Sequence, residues 1–169
     1  MPSSKSGTTP PKDRAADRAL VDAAFVCDLI KARELLAAGA DPDARDTEDG
    51  RTPLFSAVLG GSLGLVGLLL EAGADINARD HQGFSALHFA AQEDLPEMAR
   101  LLIAKGADVN ALDEDGSSIL WRAIFSSRNR PDMIQLLMAA GAKPDVANKA
   151  GESARDLATR LGIGAFTAN

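Results

Sequence analysis

Short apolar segments alternate with glycine-containing turns at a nearly constant interval along most of the chain. One series of turn glycines consists of Gly50, Gly83, Gly116 and Gly151. A second series consists of Gly39, Gly73, Gly106 and Gly141. The spacings are 33, 33 and 35 residues in the first series and 34, 33 and 35 in the second. Two independent markers that share one period indicate a repeat protein whose units stack side by side.

Each repeat contains a short apolar segment and then a longer one, as 85–92 and 96–105 show. Apolar residues in the longer segment recur with the spacing of an amphipathic helix. Gly106 follows at the position where many helices end in a left-handed residue. Asp94 and Glu97, three residues apart, predict a capping box at the start of that helix. Similar opening roles are predicted for Asp28, Ser62 and Asp132, so each repeat should consist of a turn, a helix, a loop and a helix.

These repeats resemble the ankyrin repeat family. The segments that carry the resemblance are 50–54, 68–78, 86–91 and 101–111. The resemblance covers roughly residues 20–158 and implies an all-α solenoid of stacked helix–loop–helix units. It also implies β-hairpin-like turns between the units and a capping repeat at each end.

We divide the chain into a polar tail that we expect to be disordered, one repeat domain and a short C-terminal end. The tail is 1–16, the domain is 17–163, and the end, expected to be frayed, is 164–169. The N-terminal cap is 17–45, the internal repeats are 46–79, 80–112 and 113–148, and the C-terminal cap is 149–163. Terminal repeats need polar outer faces, which we expect from Asp17, Asp22, Arg155, Asp156 and Arg160.

The chain departs from the family pattern in three places. The motif Thr-Pro-Leu-His is complete in no repeat, and His88 alone is expected to tie its turn to its helix, which predicts a less rigid stack. Within the second repeat, Gly64 and Gly67 each cost about 1 kcal/mol relative to alanine if they lie in a helix. Alternatively, these glycines allow a neighbouring helix to approach closely. Two extra residues within 126–130 lengthen one loop.

Composition and charge exclude several kinds of protein. The 169 residues include one cysteine, Cys27, so an intramolecular disulfide and a multi-cysteine zinc site are excluded. We expect this thiol to be small, buried and inert. The net charge of −6 disfavours nucleic acid as a partner. No apolar stretch has the roughly 18 residues that a membrane helix requires, and the polar N-terminus lacks a secretory signal, so we expect a cytoplasmic protein.

Catalytic chemistry is not indicated by any motif. His81 and His88 are the two histidines, and neither has metal-ligand spacing to the cysteine or to a glutamate. The aspartates that recur with the repeat are expected to be framework residues. We therefore predict a protein that is not an enzyme and has no catalytic, cofactor-binding or metal-binding residues.

The resemblance implies a module that binds another protein through its hairpin tips and the concave face of its first helices. The candidate residues on the tips are Arg51, Arg79, His81, Gln82, Phe84, Leu112, Glu114 and Asp115. The candidates on the inner helices are Leu59, Gln92 and Phe125. Apolar residues ringed by charge are typical of a binding hot spot. The alternative is that Leu59 and Phe125 turn inward and fill gaps between repeats.

The partner and the biological role are left open by the sequence. Low lysine relative to arginine, with abundant alanine, glycine and leucine, favours a GC-rich bacterial gene. We expect a monomer that acts as an inhibitor, an immunity protein or an accessory factor. The alternative is a secreted adaptor that binds a host protein.

Overall fold

The computed structural model describes residues 14–126 and 131–164. Within these residues the helices are α1 (Arg14–Phe25), α2 (Leu29–Ala37), α3 (Pro53–Leu59), α4 (Leu63–Glu71), α5 (Ala86–Gln92), α6 (Pro96–Ala104), α7 (Ile119–Ser126), α8 (Asp132–Ala139) and α9 (Ala154–Leu161). Isolated antiparallel bridges close the turns that precede α5, α7 and α9. The predicted all-α solenoid with hairpin-like turns is therefore confirmed.

The two ends of the predicted division fall partly outside the described residues. Helix α1 begins at Arg14, three residues before the predicted start of the first repeat at Asp17. Residues 1–13 of the predicted tail, residues 127–130 of the lengthened loop and residues 165–169 of the predicted frayed end are not described.

The core is a set of leucine ladders that run through the stack. Leu20, Leu54, Leu87 and Leu120 occupy equivalent positions in successive first helices and are at most 1% exposed. Each first helix packs on the next, from α1 through α3, α5 and α7 to α9. Because every unit shares its apolar face with its neighbours, no repeat buries a core alone.

The caps of the second helices follow the sequence prediction in two repeats and depart from it in the other two, since Asp132 is the first residue of α8 and the N-cap is Pro131, without a side-chain hydrogen bond. Asp28 and Ser62 accept hydrogen bonds from the backbone N–H groups of Lys31 and Leu65. The predicted capping box at Asp94 is wrong, because the N-cap of α6 is Leu95, without a side-chain hydrogen bond.

The reason for this departure is a left-handed residue in the loop. Cys27, Gly61 and Asp94 occupy equivalent loop positions and have φ values of 55°, 69° and 55°. This residue precedes the N-cap by one position, so its side chain is not at the capping position. Asp94 is tolerated there because aspartate adopts the left-handed conformation more readily than most residues.

The hairpin tips are tied to one another along the stack. The backbone N–H of His81 donates to the Asp49 carbonyl at 2.8 Å. Glu114 donates in the same way to Gln82 at 3.0 Å, and Lys149 donates to Asp115 at 2.9 Å. These bonds fix the spacing of the tips, so the tip side chains project from a continuous frame.

His88 ties its turn to its helix as the sequence predicts, and a second unit does the same. The His88 ring accepts from the Ser85 backbone N–H at 3.1 Å, while Ser85 caps helix α5. In the C-terminal unit the Asp156 carboxylate accepts from the Ser153 backbone and hydroxyl at 3.0 and 2.6 Å. The expectation that only one repeat could make this tether is therefore wrong, because a carboxylate replaces the imidazole at the same spacing.

Two further expectations concern residues near the loops. Cys27 lies between α1 and α2 as predicted, but it is only partly buried. Gly64 has an ordinary 3.8 Å contact to Leu29 where a Cβ would lie, and a Cβ on Gly67 would have nothing within 4 Å. Within the described chain, neither glycine is therefore required for close packing of a neighbouring helix.

Candidate protein-binding surface

The last residue of the first helix, or its equivalent, forms one row along the stack. Phe25, Leu59, Gln92 and Phe125 occupy this position in successive repeats. Phe25 is 72% exposed, Leu59 37% and Phe125 63%, whereas Gln92 is half-buried. Leu59 and Phe125 thus do not turn inward to fill gaps. We call these four residues the helix-end row.

Phe84 does not lie where the sequence analysis placed it. Its side chain is only 9% exposed, so its predicted exposure on a tip is wrong. Its ring centroid lies 5.5 Å from that of His88, and the Arg122 guanidinium sits 4.8 Å above the ring. The Asp80 carboxylate fixes the turn by accepting from the Phe84 backbone N–H, and Arg122 of the next repeat covers the ring.

Two arginines cover aromatic rings on the face formed by the first helices. Arg51 lies 5.1 Å from the centroid of Phe55 and 6.0 Å from that of Phe89. It also pairs with Asp49 at 2.8 Å. Arg122 is held by the buried Asp113 carboxylate at 2.7 Å. Such cation–π and ion-pair contacts hold the arginine side chains in fixed positions.

The aromatic end of the helix-end row is supported by stacking. The rings of Trp121 and Phe125 lie 5.2 Å apart and are inclined by 10°. The Trp121 indole N–H donates to Glu152 of the next unit at 3.3 Å. Phe125 is therefore exposed but restrained, which lowers the entropy lost when a partner covers it.

The remaining predicted residues lie on the tips in different environments. Arg79 donates to the Leu112 carbonyl at 2.9 Å, so its guanidinium links two tips. Leu112 itself is half-buried. Five of the predicted tip residues are exposed, namely Arg79, His81, Gln82, Glu114 and Asp115.

Two grooves separate the tips from the first helices. The N-terminal groove has a volume of about 890 Å³ and is lined by α1, by α3 and by the tip at 41–49. Its apolar wall includes Val21, Phe25 and Leu59. The C-terminal groove, of about 520 Å³, is lined by Arg51, Phe89, Gln92 and Arg122, among others. Among the predicted residues, Arg51 lines both grooves, Leu59 lines the N-terminal one, and the C-terminal one is lined by Gln82, Phe84, Gln92, Glu114 and Asp115. Neither groove is lined by Arg79, His81, Leu112 or Phe125.

Two titratable groups show how the frame is held. Partial burial raises the pKa of Asp46, but backbone N–H donors from Asp49, Gly50 and neighbouring residues outweigh burial and lower it. Burial lowers the pKa of His88 to about 4, against an opposing effect of the Asp113 carboxylate. His88 is therefore neutral at pH 7 and has a structural position inside the stack.

Sequence reasoning missed the apolar residues of the first repeat. Val26 and Ile30 are 69% and 75% exposed, close to the value for Phe25. The first repeat lacks the tip motif, and the sequence analysis named no binding candidate in it. The available signal was the alignment of Phe25 with Leu59 and Phe125, which the sequence analysis had already singled out.

No group of three or more metal-ligating side chains occurs among residues 14–126 and 131–164. Over the same residues, no helix is long and apolar enough to cross a membrane.

Stacked pairs of helices joined by bridged tips define a helical repeat protein. The chain belongs to the ankyrin repeat family, since the family pattern described as ankyrin repeats (3 copies) matches residues 20–113 and 79–148. Ankyrin repeats are generally non-catalytic modules that bind other proteins. The resemblance expected from the sequence is thereby confirmed.

Several curated proteins are similar over part of the chain. The B-cell lymphoma 3 protein homolog of Mus musculus is 49% identical over 66 residues, 39% of this chain and 15% of that protein. Arf-GAP with coiled-coil, ANK repeat and PH domain-containing protein 2 of Homo sapiens is 46% identical over 72 residues, 42% of this chain and 9% of that protein. E3 ubiquitin-protein ligase KEG of Arabidopsis thaliana is 34% identical over 131 residues, 75% of this chain and 8% of that protein. The chain therefore spans a small part of each relative.

Proposed function

We propose that this protein is a non-enzymatic binding module that holds a partner protein against its tips and the face of its first helices. The helix-end row carries this proposal. Phe25, Leu59 and Phe125 are exposed at equivalent positions while the leucine ladders beneath them are buried. Large apolar side chains that the stack does not need are typical of residues that a partner covers.

The tips supply the polar rim of this surface. Exposed Gln82, Glu114 and Asp115 project from a frame fixed by backbone hydrogen bonds between successive tips. A rigid polar rim around apolar anchors is the usual anatomy of a protein interface. Because the frame is already ordered, binding requires little backbone rearrangement.

The proposed role is that of a cytoplasmic monomer, of bacterial origin, that acts as an inhibitor, an immunity protein or an accessory factor for another protein. The alternative role is that of a secreted adaptor that binds a host protein. A toxin gene beside this gene would favour the first role, and a secretion locus would favour the second.

Affinity capture from the source organism followed by titration calorimetry with the purified partner tests the proposal. Phe125→Ala and Leu59→Ala should each weaken binding by about 2 kcal/mol, the size of a hot-spot effect. Urea unfolding of both variants should show a smaller change in stability, because both side chains are exposed. Normal binding by both of these variants and by Phe25→Ala would exclude the helix-end row as the site and leave the other faces of the stack.

A further inference from the structure

The exposed apolar surface is concentrated at one end of the molecule. Among the described residues, eight large apolar side chains are exposed, and six of them belong to the first two repeats. These six are Phe25, Val26, Leu29, Ile30, Leu59 and Leu63. We call them the N-terminal apolar edge.

These side chains lie on adjoining segments. A Cβ on Gly60 would collide with the Cys27 sulfur, so the loop after α1 touches the loop after α3. A Cβ on Gly64 would lie 3.8 Å from Leu29, so the starts of α2 and α4 also meet. The apolar edge is therefore one surface, and Phe25 and Leu59 connect it to the N-terminal groove that they line.

The rim of this groove is strongly acidic. Seven carboxylates and three guanidiniums line it, a net charge of −4. Arg51 pairs with Asp49 at 2.8 Å, so one cation and one carboxylate of the rim neutralise each other, and Arg45 donates to the Gly50 carbonyl at 2.6 Å. Asp22 is exposed and precedes Phe25 by three residues on the same helix, so a carboxylate lies beside the main apolar anchor.

We propose that the N-terminal groove and apolar edge bind a segment of the partner protein that carries lysine or arginine next to an apolar anchor. This inference rests on the proposed function and names the chemistry of the partner. Charge decides between the possible occupants. In a symmetric dimer of this chain, each acidic rim would face its own copy, which is unfavourable. An anionic membrane would be repelled by the same rim.

Selection from a random 16-residue peptide library displayed on phage, with the full chain immobilised, tests this assignment. Enriched peptides should carry a net positive charge and at least one large apolar residue. Synthetic copies should bind Phe25→Ser at least 30-fold more weakly than the unmodified protein, since a hot spot contributes 2 kcal/mol or more. Asp22→Asn should weaken binding several-fold and reduce its dependence on salt.

Leu161→Ser is the control, because Leu161 is also an exposed large apolar side chain, at 48%, but lies in the C-terminal cap outside both the helix-end row and the N-terminal apolar edge. Its affinity for the same peptides should stay within twofold of the unmodified protein. Thermal unfolding checks that each variant is folded. If Phe25→Ser unfolds, Val26→Ser on the same edge replaces it, since Val26 is 69% exposed.

The other outcomes separate this inference from the proposed function. Peptides that lose binding to Phe125→Ser but not to Phe25→Ser would overturn the inference and leave the proposed function intact. Selection of acidic or uncharged peptides would overturn the proposal that the partner segment carries lysine or arginine. A dimer in analytical ultracentrifugation that Phe25→Ser abolishes would assign the edge to a second copy and overturn the inference. Failure to enrich any peptide would count against both.

Discussion

The first two repeats and the next two share one core but differ in what they expose. In the first two, Phe25, Ile30 and Leu63 are open to solvent beside an acidic groove. In the third and fourth, the aromatic ring at a tip, Phe84, is buried beneath Arg122 of the following repeat. Repeats that stack in the same way can therefore expose different side chains.

The starts of the second helices show the same contrast. Position by position, Ile30 and Gly64 in the first two repeats correspond to Glu97 and Asp132 in the next two. An acidic residue in the first turn interacts favourably with the positive end of the helix dipole and keeps the surface hydrated. In the first two repeats the polar side chain lies instead at the N-cap, as Asp28 and Ser62, and the first turn exposes Leu29, Ile30 and Leu63.

The sharpest test of this contrast replaces one phenylalanine from each half. Phe84→Ala should reduce the free energy of unfolding by about 3–5 kcal/mol, because a buried ring leaves a cavity. Phe25→Ala should change it far less, since the ring is 72% exposed. Urea unfolding of the two variants measures the difference. Equal losses would mean that the two halves do not differ in the way we describe.

The second test uses pH and the His88 tether. His88 is neutral in the folded protein because burial lowers its pKa to about 4, whereas the unfolded value is near 6.5. The neutral tether therefore contributes full stability above pH 6.5, and this contribution is lost as the pH falls toward 4. The shift corresponds to about 3 kcal/mol over that interval.

His88→Gln removes the titrating group and should flatten this dependence. Urea unfolding between pH 7 and pH 4 should show the unmodified protein losing stability more steeply than the variant. The groups that act on His88 through their charge are Asp113, Arg79 and Arg122. Parallel pH profiles for the two proteins would show that His88 does not control acid stability in this interval.

The third test compares two turn glycines with nearly the same backbone conformation. Gly83 has φ of 76° and Gly151 has φ of 80°. A Cβ on Gly83 would lie 2.8 Å from the Glu114 backbone nitrogen, whereas a Cβ on Gly151 would have nothing within 4 Å. Gly151→Ala should therefore show only the left-handed penalty of about 1–2 kcal/mol.

Gly83→Ala should cost a further 1–3 kcal/mol or so, because the clash is with backbone that must shift. Thermal or urea unfolding of both variants gives the difference directly. If the two substitutions are equally destabilising, the tips are not packed as closely as their hydrogen bonds indicate.

The fold could be predicted because the same turn and helix-start signals recur in successive repeats. Two glycine series with one period defined the units, and Asp28 and Ser62 marked helix starts that the structure confirms. Asp94 misled the prediction because the loop needs a left-handed residue one position before the cap. Such an offset is visible only once the equivalent loop positions are compared in three dimensions.

The candidate surface was less predictable because exposure depends on distant residues. Phe84 is buried by Arg122, which lies 38 positions later in the chain, and no local pattern indicates this contact. Phe25 was missed for the opposite reason, since an apolar residue in a cap normally faces the core. Leu59 and Phe125 are exposed, as the sequence analysis expected, although their part in binding stays a prediction.

The smallest expected effect concerns the two glycines within α4 of the second repeat. Gly64→Ala and Gly67→Ala should each stabilise the protein by up to about 1 kcal/mol, since alanine is the better helix former and the added methyl groups meet no close neighbour. Gly60→Ala is the contrasting control, because its Cβ would collide with the Cys27 sulfur and should destabilise the fold. Urea unfolding measures all three changes.

A rise in stability with unchanged peptide affinity would make these glycines incidental to binding. A rise in stability with weaker peptide affinity would show that the partner approaches this helix closely, and it would extend the binding surface from the N-terminal apolar edge onto α4. Loss of stability in either α4 variant would contradict the open space seen around that glycine.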